Sequence, residues 1–187
     1  GQNLYGYSEQ AISQILPLET CQTMNRSWGY RITDTTYKSA DFLIKYLIQT
    51  SAKGANLLLN IGPRPDGTLP EEALCRLKSI GEWLKQYGET IYGTTAGIAR
   101  LLYNGSCVIA LGIKIIIKNR SLFNIDFLHI FDTEATEIFV PVKETKIYEC
   151  KEYLSGSKLK FKKEKDGITI LLHPSDNSIR TIEFSYK

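Results

Sequence analysis

The sequence predicts an α/β segment followed by an all-β domain, and three patterns lead to this prediction. Between residues 18 and 92, apolar runs of strand length alternate with stretches of helical periodicity. Beyond about residue 96, apolar side chains recur at every second position, as in half-buried strands. An Asp-Gly pair in this later part is flanked by two such runs, which indicates a β-hairpin. We therefore expect two domains, residues 1–97 and residues 98–187.

The first domain begins with a predicted strand, LETCQTMN at residues 18–25, followed by a helix. Residues 39–52 place apolar side chains along one stripe at helical spacing, and Gly54 ends the pattern. ANLLLNIG, at residues 55–62, is a near-continuous apolar run, which is typical of a strand covered on both faces in a parallel sheet. The order of elements so far is that of a βα unit and the strand of the next.

A second helix is predicted after the loop GPRPDGT. Thr68 and Glu71 have the spacing of a capping box, Pro70 falls in the first turn, and Gly88 closes the helix. Its apolar side is predicted to consist of Ala73, Leu74, Leu77, Ile80 and Leu84. This completes two βα units of a parallel α/β architecture.

Alternating strands predict a small antiparallel β domain in the second half. The period-two positions are Ile138, Val140 and Val142; Ile168, Ile170 and Leu172; and Ile182, Phe184 and Tyr186. The hairpin turn is expected at Asp166-Gly167, with the nearby lysines on a solvated face. The apolar run at 107–117 is predicted to be a strand, because a membrane span needs about 20 residues. Residues 101–131 as a whole are longer and more apolar than expected, and three interpretations are open: an insertion, a diverged pair of strands, or an erroneous stretch of the predicted protein sequence.

Composition narrows the class of protein. The net charge is +3, from 23 basic and 20 acidic residues, which argues against a nucleic-acid partner. Four cysteines without a C-x-x-C pair and two isolated histidines suggest neither a metal site nor a disulfide framework. We expect the cysteines Cys21, Cys75, Cys107 and Cys150 to be buried thiols.

Two βα units cannot close a barrel, and two parallel strands alone leave edges unpaired and apolar faces uncovered. A barrel of eight such units usually takes about 250 residues. We therefore expect the first domain to be the closing segment of a larger domain whose earlier strands lie outside this chain.

The segment NRSWGY, directly after the first strand, is where a site is expected. In parallel barrels, the loops that follow the strands line the active site. The indole of Trp28 would then offer a flat apolar wall to a sugar, while Asn25 and Tyr30 could reach its hydroxyl groups. The alternative is that Trp28 and Tyr30 are ordinary core aromatics.

Glu19 is the only carboxylate of the first strand, and a glutamate held there is costly unless it is paired or useful. It is either a general acid or a structural acceptor of hydrogen bonds. Glycoside hydrolysis requires a pair of carboxylates, and the second one is not evident in this sequence.

Two long blocks, LETCQTMNRSWGY and GANLLLNIGPRPDGTLPEEALCRLKSIGEWLKQYGETIYGT, resemble the last third of the catalytic domain of α-L-fucosidases of glycoside hydrolase family twenty-nine. The resemblance covers about residues 7–97 and is strongest to bacterial members. It implies the last two βα units of a (β/α)8-like barrel followed by a C-terminal β-sandwich. It also implies a retaining enzyme that releases terminal α-L-fucose and needs no cofactor or metal.

The aromatic residue of the family's W-G-Y signature falls on Trp28, where the resemblance implies a pocket for the methyl group of fucose. The W-E-x-C signature falls on Glu19 and Cys21, with Leu18 in place of the usual tryptophan. The resemblance further implies that the aspartate nucleophile, and usually the acid/base residue, belong to earlier sequence.

The resemblance therefore predicts a C-terminal fragment that is inactive alone. Its partners would be the rest of the barrel and a fucosylated oligosaccharide or glycoconjugate, in a periplasmic or extracellular setting. Two alternatives remain at this point: a non-catalytic carbohydrate-binding or interaction module, and a gene remnant.

Overall fold

The computed structural model describes residues 17–52, 54–96, 113–117, 124–132, 134–140 and 147–186. The chain divides into two compact units, Gly1–Gly88 and Glu89–Lys187. Each unit has its own sheet structure and its own apolar core.

The first unit contains two strands and two helices in the predicted order. They are β1 (Leu18–Thr23), α1 (Ala40–Ala52), β2 (Ala55–Asn60) and α2 (Glu71–Tyr87). The two strands are parallel, in a register that places Leu18 opposite Ala55 and Thr23 opposite Asn60. Both strands therefore end at the same edge of the sheet, and the prediction of two βα units is confirmed for the residues described.

The helices cover one face of this two-stranded sheet. Thr20 is buried on that face, and its hydroxyl lies 3.3 Å from the hydroxyl of Tyr46 in α1. The apolar core contains Met24, Leu43 and Ala73, with Tyr37, Phe42, Leu59, Ile61 and Ile80 packed against it. The amphipathic stripe of α1 thus has the partner that its periodicity predicts.

The opposite face of the sheet is open to solvent. Glu19 and Cys21 lie on it and are exposed, and Cys21 is directly opposite Leu58, whose side chain is 51% exposed. The apolar run of β2 led us to expect cover on both faces, and in the described residues only the helix face is covered. Leu74 and Leu77 of α2, predicted to be buried, are also exposed.

The start of α2 differs from the prediction. Pro70 is the residue that precedes the helix, and no side chain caps the first turn. Thr68 lies two residues before this position, and its hydroxyl donates to the carboxylate of Asp66 at 2.7 Å. The capping box predicted from Thr68 and Glu71 is therefore wrong, because Thr68 lies two residues before the N-cap position and Glu71 is the first helical residue.

The second unit is all β, as predicted. Its strands are β3 (Thr94–Ala96), β4 (Ile113–Ile117), β5 (Asn124–Ile130), β6 (Glu137–Val140), β7 (Ile147–Glu152), β8 (Phe161–Glu164), β9 (Gly167–Leu171) and β10 (Arg180–Tyr186). A short 3-10 helix, Gly88–Thr90, precedes them. One antiparallel sheet has the order β3-β4-β5-β10-β7, and a second has the order β6-β9-β8.

A single apolar core joins these two sheets. Leu128, Ile182 and Phe184 come from the larger sheet, and Ile138, Val140, Ile168 and Ile170 come from the smaller one. Side chains of two sheets that share one core are typical of a β-sandwich. The alternating positions predicted as half-buried strands therefore form this core where their side chains are described, which leaves out Val142 and Tyr186.

The region 101–131, left open by the sequence, contains β4 and β5 where it is described. The two strands pair with each other, and β5 also pairs along its whole length with β10. For these residues the strand-pair alternative is supported. The remaining parts, 101–112 and 118–123, lie outside the described residues, as does Cys107.

The predicted hairpin is present between β8 and β9. Glu164 lies opposite Gly167, so that Lys165 and Asp166 form the turn. A Cβ atom at Gly167 would lie 2.3 Å from the carbonyl oxygen of Val140 in the neighbouring strand. Glycine is needed here because two backbones approach closely.

Among the residues that the structure describes, no helix is long and apolar enough to cross a membrane.

Candidate functional site

The loop after β1, residues 24–39, carries Trp28 at the edge where both parallel strands end and is called the Trp28 loop here. Thr23, the last residue of β1, is opposite Asn60, the last residue of β2. The side chain of Trp28 is 59% exposed, so it does not pack as a core aromatic. Tyr30 is half-buried in the same loop. An exposed indole at this edge is a surface on which a flat apolar ligand face can pack.

Asn60 fixes the backbone of the Trp28 loop from the neighbouring strand. Its side-chain amide donates a hydrogen bond to the carbonyl oxygen of Trp28, with an N–O distance of 2.6 Å. Because Asn60 is the final residue of β2, the amide starts from a well-ordered sheet position. This hydrogen bond therefore fixes the backbone of Trp28 relative to the end of β2.

Gly62 brings the next loop into direct contact with the same backbone. A Cβ atom at Gly62 would lie 2.5 Å from the backbone nitrogen of Tyr30 and 2.6 Å from the carbonyl carbon of Gly29. Real Cβ atoms essentially never approach other atoms within 3.0 Å. Only glycine allows this approach, so the two loops fit together through backbone atoms.

The base of the Trp28 loop is closed by local hydrogen bonds. The hydroxyl of Thr23 donates to the carbonyl oxygen of Asn25 at 2.6 Å, and the N–H of Arg26 donates to the carboxylate of Asp34 at 3.1 Å. Desolvation acts to raise the pKa of Asp34, but hydrogen bonds from Ser27 and from the N–H of Arg26 outweigh it and hold that pKa below its ordinary value. Asp34 is thus a charged acceptor within the loop.

The loop GPRPDGT is held together by its own polar groups. The N–H of Arg64 donates to the carbonyl oxygen of Thr68 at 2.7 Å, and the guanidinium donates to the carbonyl oxygen of Leu69 at 2.9 Å. The N–H of Thr68 donates to Asp66 at 2.9 Å, and this bond is the main reason that the pKa of Asp66 is lowered. These charged groups shape the loop that presents Gly62.

The other candidate residues lie lower on the sheet or inside the loop. Glu19 and Cys21 are on the open face of β1, and Glu19 is about 13 Å along the strand from Thr23 at the usual rise per residue. Asn25 is buried, and its carbonyl oxygen accepts a hydrogen bond from the hydroxyl of Thr23. The structure therefore groups Trp28, Asn25 and Tyr30 in one loop and leaves Glu19 toward the amino end of the strand.

No group of three or more His, Cys, Asp or Glu side chains that could hold a metal ion occurs within the described ranges.

Sequence reasoning missed Asn60 and Gly62 as supports of the Trp28 loop. Both stand directly at or after the end of an apolar strand, in the run LLLNIG. Polar and glycine residues at the carboxyl end of a buried parallel strand are the signal that could have identified them, because such strand ends line the same edge.

The sequence profile of the family Alpha-L-fucosidase matches residues 3–89 of this chain. This range contains β1, the Trp28 loop, β2 and nearly all of the first unit. Over these residues, the chain is similar to the α-L-fucosidase family.

Relatives of known name show the same similarity. Over 81 residues the chain is 46% identical to human plasma alpha-L-fucosidase, an alignment that covers 41% of this chain and 17% of that protein. It is 43% identical over 79 residues to the alpha-L-fucosidase of Branchiostoma floridae and 42% identical over 79 residues to that of Dictyostelium discoideum. The latter two alignments cover 41% of this chain, and 18% and 17% of those proteins.

Solved fucosidase structures share the fold over most of the chain. The Thermotoga maritima alpha-fucosidase bound to a mechanism-based inhibitor has a TM-score of 0.67 at 25% identity, covering 89% of this chain and 39% of that one. A Bacteroides thetaiotaomicron enzyme of family twenty-nine, trapped as a covalent intermediate, has a TM-score of 0.76 at 16% identity, covering 90% and 38%. Such coverage extends the similarity of fold beyond the α/β unit into the β unit.

The matched segment is a minor part of each of these α-L-fucosidases. The chain spans about one sixth of the length of the named relatives that it matches and less than half of the solved structures. The activity and substrate of a whole enzyme are therefore matters for a proposal.

Proposed function

We propose that this chain is the C-terminal portion of a retaining exo-α-L-fucosidase and that Trp28 forms the apolar wall of its fucose site. The exposed indole of Trp28, held by Asn60 and Gly62 inside the segment that matches the family, carries the proposal. One relative, the Thermotoga maritima enzyme, has been crystallised in complex with fucose, which supports the same ligand here.

The role of Trp28 follows from the chemistry of the sugar. Fucose carries a methyl group where galactose-like sugars carry a CH₂OH group. Burying one methyl group contributes only about 1 kcal/mol, so attraction alone gives modest selectivity. An indole face also cannot satisfy a 6-hydroxyl group, and a hydroxyl left without a partner costs about 1–3 kcal/mol. The wall selects fucose chiefly by leaving the competing sugar's hydroxyl unsatisfied.

The covalent nucleophile belongs to residues outside this chain in our proposal. A retaining glycosidase uses a carboxylate nucleophile to form a glycosyl-enzyme intermediate, and a second carboxylate acts first as acid and then as base. We propose that the nucleophile is an aspartate on an earlier barrel strand. Within this chain Glu19 is our candidate for a catalytic carboxylate, with Cys21, Asn25 and Tyr30 near the site, and the pH–rate profile of a Glu19→Gln enzyme would test its role.

The open face of the β1–β2 sheet supports the view that other strands belong beside it. Leu58 is half exposed on that face, and each strand has one edge without a neighbour in the described residues. Neighbouring strands of a (β/α)8-like barrel would cover this face with side chains from the barrel interior. The α/β unit then represents the last two βα units of that barrel, residues 1–97, and residues 98–187 form the C-terminal β-sandwich.

A turnover assay tests whether this chain needs the upstream strands for catalysis. We expect the 187-residue chain to release no aryl group from an aryl α-L-fucoside, and a longer protein that includes the upstream strands to hydrolyse it. Robust turnover by the 187-residue chain would mean that both carboxylates are present in it and that this proposal is wrong.

Replacing Trp28 by Ala in the longer protein tests the fucose wall. We expect kcat/KM for the fucoside to fall at least about tenfold, since about 1.4 kcal/mol of binding to the methyl and ring faces is lost. Discrimination against the matching α-L-galactoside, which carries the 6-hydroxyl group, should narrow as well. Because Trp28 is exposed, the free energy of unfolding should change by less than about 0.5 kcal/mol.

Trp83→Ala is the matched control, because Trp83 lies in α2 and stacks on Tyr87 with ring centres 5.1 Å apart. It should lower stability and leave the preference between the two sugars unchanged. Equal sugar preference in the wild-type and Trp28→Ala enzymes would remove Trp28 from the site.

The alternative function is a non-catalytic carbohydrate-binding or interaction module. The observation in its favour is that the β unit has an apolar core of its own, drawn from residues 128–184.

A further inference from the structure

Lys38 connects the two ends of the Trp28 loop. Its side-chain ammonium donates to the carbonyl oxygen of Thr23 at 2.8 Å and to that of Asn25 at 2.7 Å, and it lies 3.4 Å from the hydroxyl of Thr23. Its backbone N–H donates to the carbonyl oxygen of Met24 at 2.8 Å. One residue at the end of the loop therefore contacts three consecutive residue positions at its start.

These contacts are well suited to hold a backbone. An ammonium group has three donors and no acceptor, and hydrogen bonds from a charged donor are roughly twice as strong as neutral ones. Lys38 is half-buried, and desolvation lowers its pKa, while the negative charge of Asp34 acts in the opposite direction. The side chain is thus partly withdrawn from water in order to reach backbone carbonyl groups.

Lys38 is itself fixed to the helix layer. The guanidinium of Arg76, in α2, donates from Nε to the carbonyl oxygen of Lys38 at 2.6 Å and lies over the ring of Tyr37 at 5.1 Å. A continuous series of contacts therefore runs from α2 through Lys38 to the base of the loop. Within the loop, Asn60 holds the carbonyl oxygen of Trp28.

We propose that Lys38 is a positioning residue that sets the place of the Trp28 loop above the sheet. Its importance for sugar binding rests on the proposed function of Trp28. Its effect on the loop does not, because that effect is a property of the chain without any ligand.

The experiment uses the 187-residue chain with Trp83→Phe, so that Trp28 is the only one of the two tryptophans left as a reporter. Lys38→Met keeps the length of the side chain and removes its donors, whereas Lys38→Arg keeps a charged donor. Lys85→Met is the control, because Lys85 forms an exposed pair with Glu82 in α2. Hydrogen exchange is measured at the hydrogen-bonded amides of Arg26, Asp34 and Lys38, together with quenching of Trp28 fluorescence by iodide.

We expect Lys38→Met to speed exchange at these loop amides by about tenfold or more and to change the iodide quenching of Trp28. Exchange in α1 and α2 should stay at the wild-type rate. Lys38→Arg should remain within about threefold of wild type, and Lys85→Met should be indistinguishable from it.

Two results would overturn the inference: unchanged loop exchange in Lys38→Met, or acceleration in α1 and α2 as large as in the loop. The second would show a general loss of stability. A separate measurement of KM for the fucoside in the longer protein distinguishes this inference from the proposed function. A loosened loop with unchanged KM would uphold the positioning role of Lys38 and contradict the fucose wall.

Discussion

At the scale of single residues, Trp28 shows what a sequence motif can and cannot predict. The sequence placed Trp28 after a strand, where it could equally have been a core aromatic, and its 59% exposure distinguishes the two readings. The supports of the loop, Asn60 and Gly62, were not predicted because they act from another strand. Contacts between residues more than 30 positions apart depend on the register of β1 and β2, which composition does not encode.

The cysteines show where a statistical expectation fails. Cys150 is buried as expected, but Cys21 and Cys75 are exposed. Cys21 is exposed because it lies on the open face of β1, and the burial expected of a thiol presumes a face that is covered. Cys107 lies outside the described residues.

Thiol labelling should separate these cysteines. Burial, followed by the charge of Glu149, raises the pKa of the Cys150 thiol to about 12, so at pH 8 about one molecule in ten thousand carries the thiolate. We expect iodoacetamide at pH 8 to modify Cys21 and Cys75 within minutes and Cys150 only after unfolding, as read by peptide mass spectrometry. Rapid modification of Cys150 in the folded chain would contradict its burial.

Because the pKa of Cys150 is raised in the folded state, this group stabilises the fold below about pH 9 and loses that effect as the pH rises toward 12.

At the scale of elements, local patterns predicted the type of both helices and of the strands that they singled out, and they predicted the terminal details of these elements poorly. The hairpin between β8 and β9 was predicted from Asp166-Gly167, although the turn itself is Lys165-Asp166. Gly167 is required by the closeness of Val140 in β6, a strand some 27 residues earlier. The capping box at Thr68 failed because Pro70, and not Thr68, occupies the N-cap position of α2.

Gly167→Ala tests the close approach of β9 to β6. The new Cβ atom would lie 2.3 Å from the carbonyl oxygen of Val140, so the strands must move apart. We expect a loss of about 2 kcal/mol or more in the free energy of unfolding of the β unit, measured by urea unfolding with circular dichroism.

Gly81→Ala is the contrasting variant, because Gly81 lies inside α2 and a Cβ atom there would meet nothing within 4 Å. Alanine favours helix, so this change should stabilise the α/β unit by up to about 1 kcal/mol. A Gly167→Ala chain as stable as the wild type would show that β6 and β9 can separate at little cost.

At the scale of the whole molecule, the change from helical to alternating periodicity predicted an α/β part and an all-β part. It could not predict how the eight strands that the structure describes in the second unit divide between two sheets. Strand β10, the last in the chain, lies between β5 and β7, and β6 leaves its sequence neighbours to pair with β9. Such pairings are set by distant contacts in a shared core, which local alternation does not specify.

The β unit should fold alone if its core is self-sufficient. We expect residues 89–187, expressed separately, to give a β-type circular dichroism spectrum and a cooperative urea transition, because its buried cluster lies wholly within it. A disordered spectrum would contradict this expectation.

We also expect no binding to fucosylated glycans by this unit, measured by isothermal titration calorimetry. Specific binding would favour the alternative of a carbohydrate-binding module.

The bare face of the β1–β2 sheet also has a consequence for handling the isolated chain. In the part of the chain that the structure describes, Leu58 and the outer edges of two short parallel strands offer an apolar surface and unpaired backbone donors and acceptors to a second copy. Stock solutions should therefore become turbid as they are concentrated, and light scattering should rise more steeply than in proportion to the amount dissolved. Dilute storage with a mild detergent is the sensible precaution.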